Sequence, residues 1–413
     1  MTKFAQLIKS NAEGEEKSLP RTIEQLHALQ GFSSRNDLSG AIRGAYLHVP
    51  FCFHKCHYCD FYSIVDRHDR QEAFARRLAA ELAAAKPWIT QPLETIFIGG
   101  GTPTLLRADL WRDVLLPAIH ANLPLLHDAE FTVEANPETV TAELAAVLVH
   151  GGVNRISIGA QSFNPTHLKT LERWHDPANV ARSTSILRDA GIENLNLDLI
   201  FAIPGQSLDD WQSDLDAALA VGPTHLSCYG LTYEPNTPMT AKLRAGRFAR
   251  ADEPLEADMF EAAIDRLAAA GFEHYEVSNW AMVGMQCRHN LLYWNNANWW
   301  PFGPSASGHV NGVRWKNVPR LGEYLDHGPW PRIVDAEQLD AAARVGEILM
   351  LRLRLRKGLD ASELNELLRN DVAGRAMAIQ RHLDQGLLER ADGHVRLTAA
   401  GLMLADTVLG DLI

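Results

Sequence analysis

Three cysteines provide the clearest chemistry in this sequence. Cys52, Cys56 and Cys59 lie within eight residues, in the segment FCFHKCHYCD (51–60). The chain has only five cysteines in 413 residues, which is too few for a disulfide framework. Thiols grouped at short spacing on one segment are typical of metal binding, because the thiolate is a strong metal ligand. The segment therefore predicts a metal centre.

Two kinds of centre are compatible with three clustered thiolates. A closed zinc site needs four ligands, and His54 or His57 of the same segment could complete it. A 4Fe-4S cluster held by three thiolates instead leaves one iron open. An exchangeable ligand with an amine and a carboxylate could chelate that iron. In the second case the missing fourth protein ligand is the functional feature.

The elements that must position this segment form a repeated pattern. Ala- and Leu-rich stretches with helical periodicity alternate with short apolar runs that are typical of buried strands. This alternation predicts an α/β fold with a parallel sheet covered on its outer face, as either a full or a partial barrel. The six predicted strands are residues 45–51, 95–100, 130–136, 155–162, 194–205 and 225–232.

Polar or glycine-rich residues follow the ends of five consecutive predicted strands. Barrels of this kind carry their chemistry at the carboxyl ends of the strands. Taken singly, each of these residues has a purely structural explanation as part of a turn, a helix cap or a hydrogen-bonded bridge. Their shared placement at the carboxyl ends of the strands predicts one functional site there, which we call the mouth of the barrel. They are the cysteine segment, Gly99 to Thr102, Glu134, Gln161 and Asp198.

The overall charge narrows the classes of partner. Lys and Arg total 39 against 51 Asp and Glu, so the net charge is −12, which argues against nucleic acid as the main ligand. No stretch approaches the roughly 18 apolar residues of a membrane span, and the first residues lack the apolar core of a secretion signal. We expect a cytoplasmic protein with no membrane span.

The pattern divides the chain into four parts. Residues 1–42 predict a polar extension, and residues 43–250 carry the barrel pattern. Residues 251–334 are rich in aromatic side chains, and residues 335–413 predict an α-rich domain. Residues 386–398 of that domain predict two strands around Asp392-Gly393, which resemble the wing of a winged helix. The acidic chain favours a packing role for this wing over DNA binding.

The aromatic segment suggests a site for a flat, apolar ligand. Five of the ten tryptophans lie within 36 residues around His289. Such rings could stack on a porphyrin, with His289 as an axial ligand to its iron and Cys287 as a rival ligand. The alternative is that the tryptophans fill the core and that His289 is structural. The tryptophans are Trp280, Trp294, Trp299, Trp300 and Trp315.

The spacing CxxxCxxC, with an aromatic residue before the last cysteine, resembles the radical S-adenosylmethionine (SAM) superfamily. In that superfamily a reduced 4Fe-4S cluster gives an electron to SAM, and homolysis yields a 5′-deoxyadenosyl radical. The resemblance implies a partial (βα)6 barrel. It also implies that Cys52, Cys56 and Cys59 hold the cluster, that Tyr58 lies beside the adenine, and that Gly99 to Thr102 meet the methionine amino group.

One subfamily, that of oxygen-independent coproporphyrinogen III oxidase, is similar over nearly all of residues 45–413. Its matching segments are YLHVPFC (46–52), GGGTPT (99–104), EANPE (134–138), GAQSF (159–163), LERWH (171–175) and DLIFAIPGQ (198–206). Carboxylates can accept from ribose hydroxyls or an ammonium, and arginine can hold a carboxylate. The similarity implies further SAM contacts at Tyr46, Gly100, Gly101, Thr102, Glu134, Gln161, Arg173 and Asp198.

Two departures from the oxidase pattern point to the HemW-type haem chaperones. The oxidase has a further cysteine two positions after the third, where this chain has Phe61. The segment HNLLYW (289–294) resembles the HNxxYW haem-binding motif of the chaperones, which implies that His289, Tyr293 and Trp294 bind haem. The resemblance thus implies a carrier of haem, a 4Fe-4S cluster and SAM, with no assigned catalytic residue.

The two readings of function belong to different classes. The chaperone would deliver haem to haem-requiring acceptor proteins, such as respiratory proteins at the membrane. The alternative is a radical enzyme that oxidatively decarboxylates coproporphyrinogen III to protoporphyrinogen IX. Phe61 and the intact HNLLYW segment favour the chaperone over an active oxidase. A homodimer stays an open alternative to a monomer.

Overall fold

The computed structural model describes residues 42–369 and 374–413. The predicted polar extension, residues 1–42, therefore lies almost entirely outside the described residues. A twelve-stranded sheet and a three-stranded sheet organise the described part. The strands of the large sheet that form the barrel are β1 (Ile42–Val49), β2 (Leu93–Gly100), β3 (Leu125–Ala135), β4 (Arg155–Gln161), β5 (Asn194–Phe201) and β6 (His225–Gly230).

These six strands confirm the predicted α/β barrel. They lie side by side in chain order, and each pairs in parallel with the next. The barrel is partial because β1 and β6 pair with other strands rather than with each other. Its intervening helices are α1 (Gln71–Ala85), α2 (108–122, with a π-helical turn at Trp111–Leu115), α3 (Ala142–His150), α4 (Pro165–Thr170), α5 (Ala178–Asp189) and α6 (Leu208–Val221).

Alternation along the strands decides which side chains face the barrel interior. Leu47 and Val49 of β1 are buried in the hydrophobic core, whereas Tyr46 and His48 alternate with them and lie on the opposite face of the strand. Burial of the outward face against helices is the main contribution to stability. The residues that face the barrel interior are not needed for this packing and can therefore bind a ligand.

The aromatic segment extends the barrel sheet at both edges. On one side β9 (Asn298–Phe302) pairs in parallel with β1, followed by β10 (Ser307–Val310), β11 (Val313–Asn317) and β12 (Ile333–Gln338). On the other side β8 (Asn279–Ala281) pairs with β6, and β7 (Glu273–Glu276) pairs with β8. The helices of this region are α7 (Pro238–Arg244), α8 (Glu253–Ala269), α9 (Arg288–Trp294) and α10 (Leu321–Asp326).

The α-rich region that follows contains the predicted hairpin. Strands β14 (Leu388–Ala391) and β15 (His394–Leu397) flank Asp392-Gly393, where both residues have positive φ, as a tight turn requires. A short β13 (Leu359–Asp360) completes this sheet. Its helices are α11 (Ala341–Arg352), α12 (Ala361–Leu367), α13 (Arg375–Asp384), α14 (Ala399–Met403) and α15 (Ala405–Gly410).

The α-rich region also contacts the edge of the large sheet, because the Arg356 backbone amide donates to the carbonyl of Tyr275 in β7 at 3.0 Å. Helices α1 to α15 are short or strongly polar. None of the helices among the described residues has the length and apolar character that crossing a bilayer requires.

Candidate functional site

The predicted thiols meet at the mouth of the barrel. Cys52, Cys56 and Cys59 line one pocket at the carboxyl end of β1, together with Gly101 and Arg173. The Arg173 guanidinium donates to the Cys56 sulfur at 3.8 Å. The positive charge of this guanidinium would offset the negative charge of thiolate ligands, so the pocket suits a metal centre held by such ligands.

Backbone hydrogen bonds hold the cysteine loop in place. The Cys52 amide donates to the Ile64 carbonyl at 2.9 Å, and the His57 amide donates to the Leu171 carbonyl at 3.2 Å. The Cys59 amide donates back to the Cys56 carbonyl at 3.3 Å. The three sulfur atoms are therefore presented by a loop whose own backbone is largely fixed.

Burial keeps two of the thiols protonated in the ligand-free chain. It raises the pKa of the Cys52 thiol, against the opposing effect of hydrogen bonds from Thr102 and Ser63. It also raises the pKa of the Cys59 thiol to about 12. A metal centre must displace these protons when it binds, since the thiolate is the ligand. The geometry fits such a centre, and its assembly is coupled to proton release.

The donor arrangement distinguishes the two kinds of metal centre. Among residues 42–369 and 374–413, no three Cys, His, Asp or Glu side chains converge tightly enough to hold one metal ion. His54 stacks on Trp174 with centroids 4.2 Å apart, and His57 lies 2.9 Å from the ammonium of Lys242. The histidines thus do not complete a zinc site. Three separated thiols fit a cluster in which each sulfur binds a different iron.

A bare backbone strip runs beside the thiols. The Gly101 amide donates to the Val49 carbonyl at 2.7 Å, and the Thr102 amide donates to the Phe51 carbonyl at 2.7 Å. A Cβ at position 101 would lie 2.7 Å from the Phe51 oxygen and 2.8 Å from the Val49 oxygen. Glycine is required here because any side chain would collide with the loop that carries Cys52.

Gly100 adds a second constraint on this strip. Its φ is +107°, and a Cβ there would collide with the His48 ring. Gly100, Gly101 and Thr102 line the same pocket as the thiols. The hydroxyl of Thr102 lies 3.5 Å from the Cys52 sulfur. The backbone strip predicted to bind SAM is therefore adjacent to the cysteines predicted to bind the metal centre.

Two carboxyl groups lie inside the barrel beneath the pocket. Glu134 accepts from the Gly100 amide at 3.0 Å. Burial, followed by the charge of Asp198, raises the pKa of Glu134 to about 7. Burial also raises the pKa of Asp198, although Asn196 and Ser157 donate to it at 2.8 and 3.1 Å. Both groups would be stabilised in ionised form by a cationic or hydroxyl-bearing ligand.

The remaining predicted ligand contacts surround this interior. Arg173 donates to the Gly159 carbonyl at 2.8 Å, and a Cβ on Gly159 would lie 2.8 Å from the Gln161 side-chain nitrogen. Gln161 has a φ of +65°, at an irregularity between β4 and β5. Tyr58 lines the thiol pocket. Tyr46 lies deeper, with its hydroxyl 3.1 Å from the His48 ring.

The predicted haem residues do not lie at the mouth. His289 belongs to α9, and its ring lies 2.7 Å from the Thr95 hydroxyl. Thr95 pairs in register with Gly44 and Glu130, near the amino ends of the strands. Val49 is five residues further along β1 than Gly44, or about 16 Å at the rise of a strand. Helix α9 therefore closes the opposite end of the barrel, which we call the floor.

Polar contacts fix α9 in the floor. The Glu130 carboxylate accepts from the amides of Arg288 and His289, at 2.8 and 3.1 Å. The second ring nitrogen of His289 lies 2.9 Å from the Tyr293 hydroxyl, and the ring stacks on Phe97 at 5.2 Å. Burial lowers the pKa of His289 to about 3. The imidazole is therefore neutral and engaged on both nitrogens.

The five tryptophans of the aromatic segment do not form one surface. Trp280 lies in β8 beside β6, whereas Trp300 and Trp315 lie in β9 and β11 on the other side of the barrel. These three are buried in the core. Trp294 lies beneath the Arg354 guanidinium at 5.8 Å. The sequence pattern groups these tryptophans because they are close in the sequence. The order of strands in the sheet places them on different sides of the barrel.

Sequence reasoning missed several residues of the mouth. Asn136 and Phe53 line the thiol pocket, and α7 contacts the cysteine loop through the Met239 amide, which donates to the His57 carbonyl at 3.0 Å. The EANPE match (134–138) could have indicated Asn136. No local pattern in α7 shows which loop it will contact.

Two family models match the chain. The radical SAM superfamily matches residues 46–218, which include the cysteine loop and the interior carboxyl groups. The HemN C-terminal domain matches residues 339–404. Together they cover the first five barrel strands and most of the α-rich region.

Several curated proteins of similar sequence are named heme chaperone HemW. The heme chaperone HemW of Mycobacterium tuberculosis is 39% identical over 379 residues, covering 90% of this chain and 94% of the relative. The heme chaperone HemW of Bacillus subtilis is 33% identical over 374 residues, covering 89% and 98%. The Escherichia coli protein of that name is 40% identical over 270 residues, covering 64% and 69%.

A solved structure shares the whole architecture. Coproporphyrinogen III oxidase (HemN) from Escherichia coli, a radical SAM enzyme, superimposes with a TM-score of 0.80. The match covers 99% of this chain and 98% of that one, at 19% sequence identity. At that identity the likeness shows the fold alone.

Proposed function

This chain belongs to the radical SAM superfamily and, within it, to the HemW family of haem chaperones, and from that premise we propose that it binds haem and passes it to proteins that require it. The similarity to curated heme chaperones spans 90% of the chain at 39% identity. The observation that carries the cofactor part of the proposal is the mouth pocket, where three thiols and a bare glycine strip lie side by side.

We propose that the mouth holds a 4Fe-4S cluster and SAM. Cys52, Cys56 and Cys59 would ligate the cluster, and the Gly100–Thr102 backbone would receive the amino acid part of SAM. When bound, this pair supplies one-electron chemistry. The chain's own side chains orient the ligand: Arg173 offers a buried guanidinium to a carboxylate, and Tyr58 packs in the wall.

The interior carboxyl groups complete the SAM part of the proposal. Glu134 and Asp198 would accept from the ribose hydroxyls or the ammonium, and Gln161 and Tyr46 would line the rest of the ligand. Because the pKa of Glu134 is raised to about 7, this carboxyl changes protonation near neutral pH. Ligand binding at the mouth should therefore be coupled to a proton.

We further propose that the chain does not act as a coproporphyrinogen III oxidase. Phe61 stands where the oxidase pattern has a fourth cysteine, and its side chain is 64% exposed at the mouth. No thiol replaces it among the described residues, because the other cysteines, Cys228 and Cys287, are buried elsewhere in the fold. The chain thus keeps the three thiols that would hold the cluster and lacks only the fourth cysteine of the oxidase pattern.

The residues expected to hold haem lie in the floor helix α9, and their packing there leaves no room for it. Both ring nitrogens of His289 lie within hydrogen-bond distance of a hydroxyl, and the residue is 1% exposed. An axial ligand needs a free nitrogen and room for a macrocycle. The ligand role of His289, Tyr293 and Trp294 thus stays a prediction, and haem binding by the chain is supported by its family.

The acceptor proteins are also part of the proposal. We propose haem-requiring proteins, among them respiratory proteins that the chaperone would reach from the cytoplasm. The similarity to heme chaperones supports acceptors in general. A homodimer remains a prediction.

The test compares haem transfer with oxidase turnover on one reconstituted sample. We expect a Soret shift on haem titration, transfer of that haem to an apo-haemoprotein, and no vinyl product from coproporphyrinogen III with SAM and reductant. The Cys59→Ser variant is the matched control for the cluster. Decarboxylated product would overturn the chaperone assignment in favour of the enzyme, and absence of any Soret change would overturn it outright.

A further inference from the structure

We propose that Asn196, His225 and Tyr275 are positioning residues, whose hydrogen bonds all point toward Asp198 and hold its carboxylate ready for SAM. The proposal rests on the SAM site proposed above, since Asp198 is one of its predicted contacts. The three side chains lie deeper in the barrel than Asp198 and touch neither the cysteine loop nor the glycine strip. We call them the donor series.

Strand register brings the inner members of the donor series together. Ser157 of β4, Asn196 of β5 and His225 of β6 pair directly across the sheet. Asp198 lies two residues after Asn196 on β5, so both side chains face the same side of the sheet. Asn196 is 2% exposed and His225 is fully buried, whereas Asp198 is partly exposed. The row thus lies one layer deeper than the carboxyl group that a ligand can reach.

The Asn196 side chain reaches both oxygens of the carboxylate. Its amide nitrogen donates to one Asp198 oxygen at 2.8 Å and to the Ser157 hydroxyl at 2.7 Å. The Ser157 hydroxyl in turn donates to the second Asp198 oxygen at 3.1 Å. An ionised carboxylate only accepts hydrogen bonds, so the amide nitrogen must face Asp198. The amide oxygen consequently faces His225.

The orientation of the amide fixes the tautomer of His225. Asn196 Oδ1 lies 2.6 Å from His225 Nδ1, and an amide oxygen only accepts, so Nδ1 carries the proton. His225 Nε2 is then the acceptor, and the Tyr275 hydroxyl, 2.8 Å away, donates to it. Burial, followed by the charge of Arg155, lowers the pKa of His225 well below its usual value, so the ring stays neutral. Every donor from Tyr275 to Asn196 therefore points toward Asp198.

Hydrogen bonds aligned in one direction polarise one another and stabilise negative charge at their end. Burial raises the pKa of Asp198, and hydrogen bonds from Asn196, Ser227 and Ser157 oppose that effect. Loss of the series would leave more of the carboxyl protonated. A protonated carboxyl accepts less strongly from ribose hydroxyls or an ammonium. The donor series thus maintains the form of Asp198 that SAM requires.

The α-rich region holds the outer end of the donor series. The Tyr275 carbonyl accepts from the Arg356 amide at 3.0 Å, and Glu276 forms an isolated antiparallel bridge with Leu355. Strand β7, which carries Tyr275, is therefore fixed by residues that follow α11. Through this contact a region outside the barrel supports the carboxylate at the mouth.

Other titratable groups lie near enough to Asp198 for their charges to interact with it. Burial raises the pKa of Glu134 to about 7, so this carboxyl also titrates near neutral pH and must be replaced before Asp198 can be observed. The remaining groups are Tyr58, Arg155, Cys228 and Tyr229.

The test measures SAM affinity of the reconstituted Glu134→Gln protein, the parent, by equilibrium dialysis at about pH 6 and about pH 8. His225→Leu, added to the parent, removes the donor to Asn196. His225→Asn places an amide N–H near the former position of Nδ1 and is the conservative variant. Tyr275→Phe removes only the outermost donor.

Tyr324→Phe is the matched control for the loss of a buried hydroxyl. Its hydroxyl donates to Glu81 at 2.6 Å, between α10 and α1 and away from the barrel interior. Urea denaturation of each variant measures the accompanying loss of stability. The control should lose stability and bind SAM as the parent does.

We expect His225→Leu to weaken SAM binding by about fivefold at the higher pH and about thirtyfold at the lower pH. Tyr275→Phe should weaken binding by about threefold, and His225→Asn should stay within about threefold of the parent. A purely structural role would weaken binding equally at both pH values. Equal losses at the two pH values, or His225→Asn as weak as His225→Leu, would overturn the proposal. A loss of the same size in Tyr324→Phe would also overturn it.

Failure of the SAM site and failure of the donor series are distinguishable. If the parent binds no SAM, the proposed function fails, and ¹⁵N spectra of histidine-labelled protein still decide the series. The His225 signal, identified by its loss in His225→Leu, should show a protonated Nδ1 and an unprotonated Nε2 at both pH values. A ring protonated on Nε2, or on both nitrogens, overturns the donor series whether or not SAM binds.

Discussion

Predicted ligand-binding side chains at the two ends of the barrel differ in their hydrogen bonding. At the mouth, buried nitrogen atoms of His54 and Arg173 have no hydrogen-bond partner among the described residues. At the floor, both ring nitrogens of His289 have one. Buried polar groups are normally satisfied, so the exceptions need a reason. The difference indicates that a ligand completes Arg173 at the mouth, whereas the chain itself satisfies His289. In the same floor helix, Nε1 of Trp294 is buried without a hydrogen-bond partner among the described residues.

The same contrast appears in the backbone. Glycines keep side chains away from the mouth, where a Cβ on Gly101 would collide with the cysteine loop. At the floor, Gly44 is required because a Cβ there would lie 2.7 Å from the side chain of Leu292 in α9. Gly101 makes room for the backbone of the cysteine loop, and Gly44 makes room for the side chains of the floor helix and of β2.

The largest effect should follow removal of a mouth thiol. We expect Cys59→Ala to lower the iron content after anaerobic reconstitution from about four atoms per chain to nearly none, because two thiolates hold a cubane poorly. Iron analysis and the visible absorbance of the cluster measure this. Cys228→Ala, which removes a buried core thiol, is the control and should retain its iron. Full iron in Cys59→Ala would remove Cys59 from the ligand set.

The next effect should follow a methyl group added to the backbone strip. In Gly101→Ala the new Cβ would overlap backbone oxygens of the cysteine loop, so the loop must shift. We expect SAM affinity to fall by about a hundredfold, or about 2.7 kcal/mol. Equilibrium dialysis with labelled SAM measures it. Gly322→Ala has open space around its Cβ and should bind SAM as the wild type does.

The floor should respond through stability rather than ligand binding. His289→Ala removes a buried ring and takes away the hydrogen-bond partner of the Thr95 and Tyr293 hydroxyls. We therefore expect the unfolding free energy to fall by about 3 kcal/mol. Tyr293→Phe removes one hydrogen bond and should cost about 1 kcal/mol. Urea denaturation measures both.

Haem titration of the same two variants tests whether the floor helix is purely structural. If His289 is structural, Tyr293→Phe should leave haem affinity unchanged. If His289 is instead the axial ligand, removing the competing Tyr293 hydroxyl should strengthen haem binding, and His289→Ala should abolish it. That second result would show that the floor helix opens to bind haem.

The smallest effect should be a pH dependence of SAM binding. In the ligand-free chain the pKa of Glu134 is raised to about 7. Its contribution to stability is therefore present below the ordinary carboxyl pKa and is lost as the pH rises through 7. A cationic ligand favours the ionised form. We expect SAM to bind about tenfold more tightly at pH 8 than at pH 6, with proton release below pH 7.

Calorimetry in two buffers of different ionisation enthalpy measures the released proton. Glu134→Gln is the matched control, because it keeps the shape of the side chain and removes the titration. The same pH slope in this variant would assign the proton to another group, such as Asp198.

Sequence reasoning recovered the barrel because its signals are local. All six barrel strands follow from apolar runs, with ends displaced by up to five residues, whereas the short helix α4 between β4 and β5 was not predicted. The mouth could also be inferred, since strand ends in a parallel barrel meet at one edge and motif residues occupy those ends. Cys52, Glu134 and Asp198 therefore lie where the motifs and strand ends indicated.

The floor could not be inferred, because its contacts join distant segments. His289 and Thr95 are 194 residues apart in the sequence, and no local pattern records their pairing. A histidine among tryptophans has the composition of a haem pocket, yet the same residues also suit a buried helix. Sheet order separates Trp280 from Trp300, and that order depends on which strand becomes the neighbour of β1.

The parallel pairing of β9 with β1 has a consequence for synthesis. The strand that leads into the cysteine loop gains its second neighbour only when residues 298–302 have left the ribosome. Until then a nascent chain presents β1 as an uncovered edge, which is prone to join other strands. Iron should therefore be loaded late, after nearly three quarters of the polypeptide has been made, and a chain terminated before β9 should aggregate rather than mature.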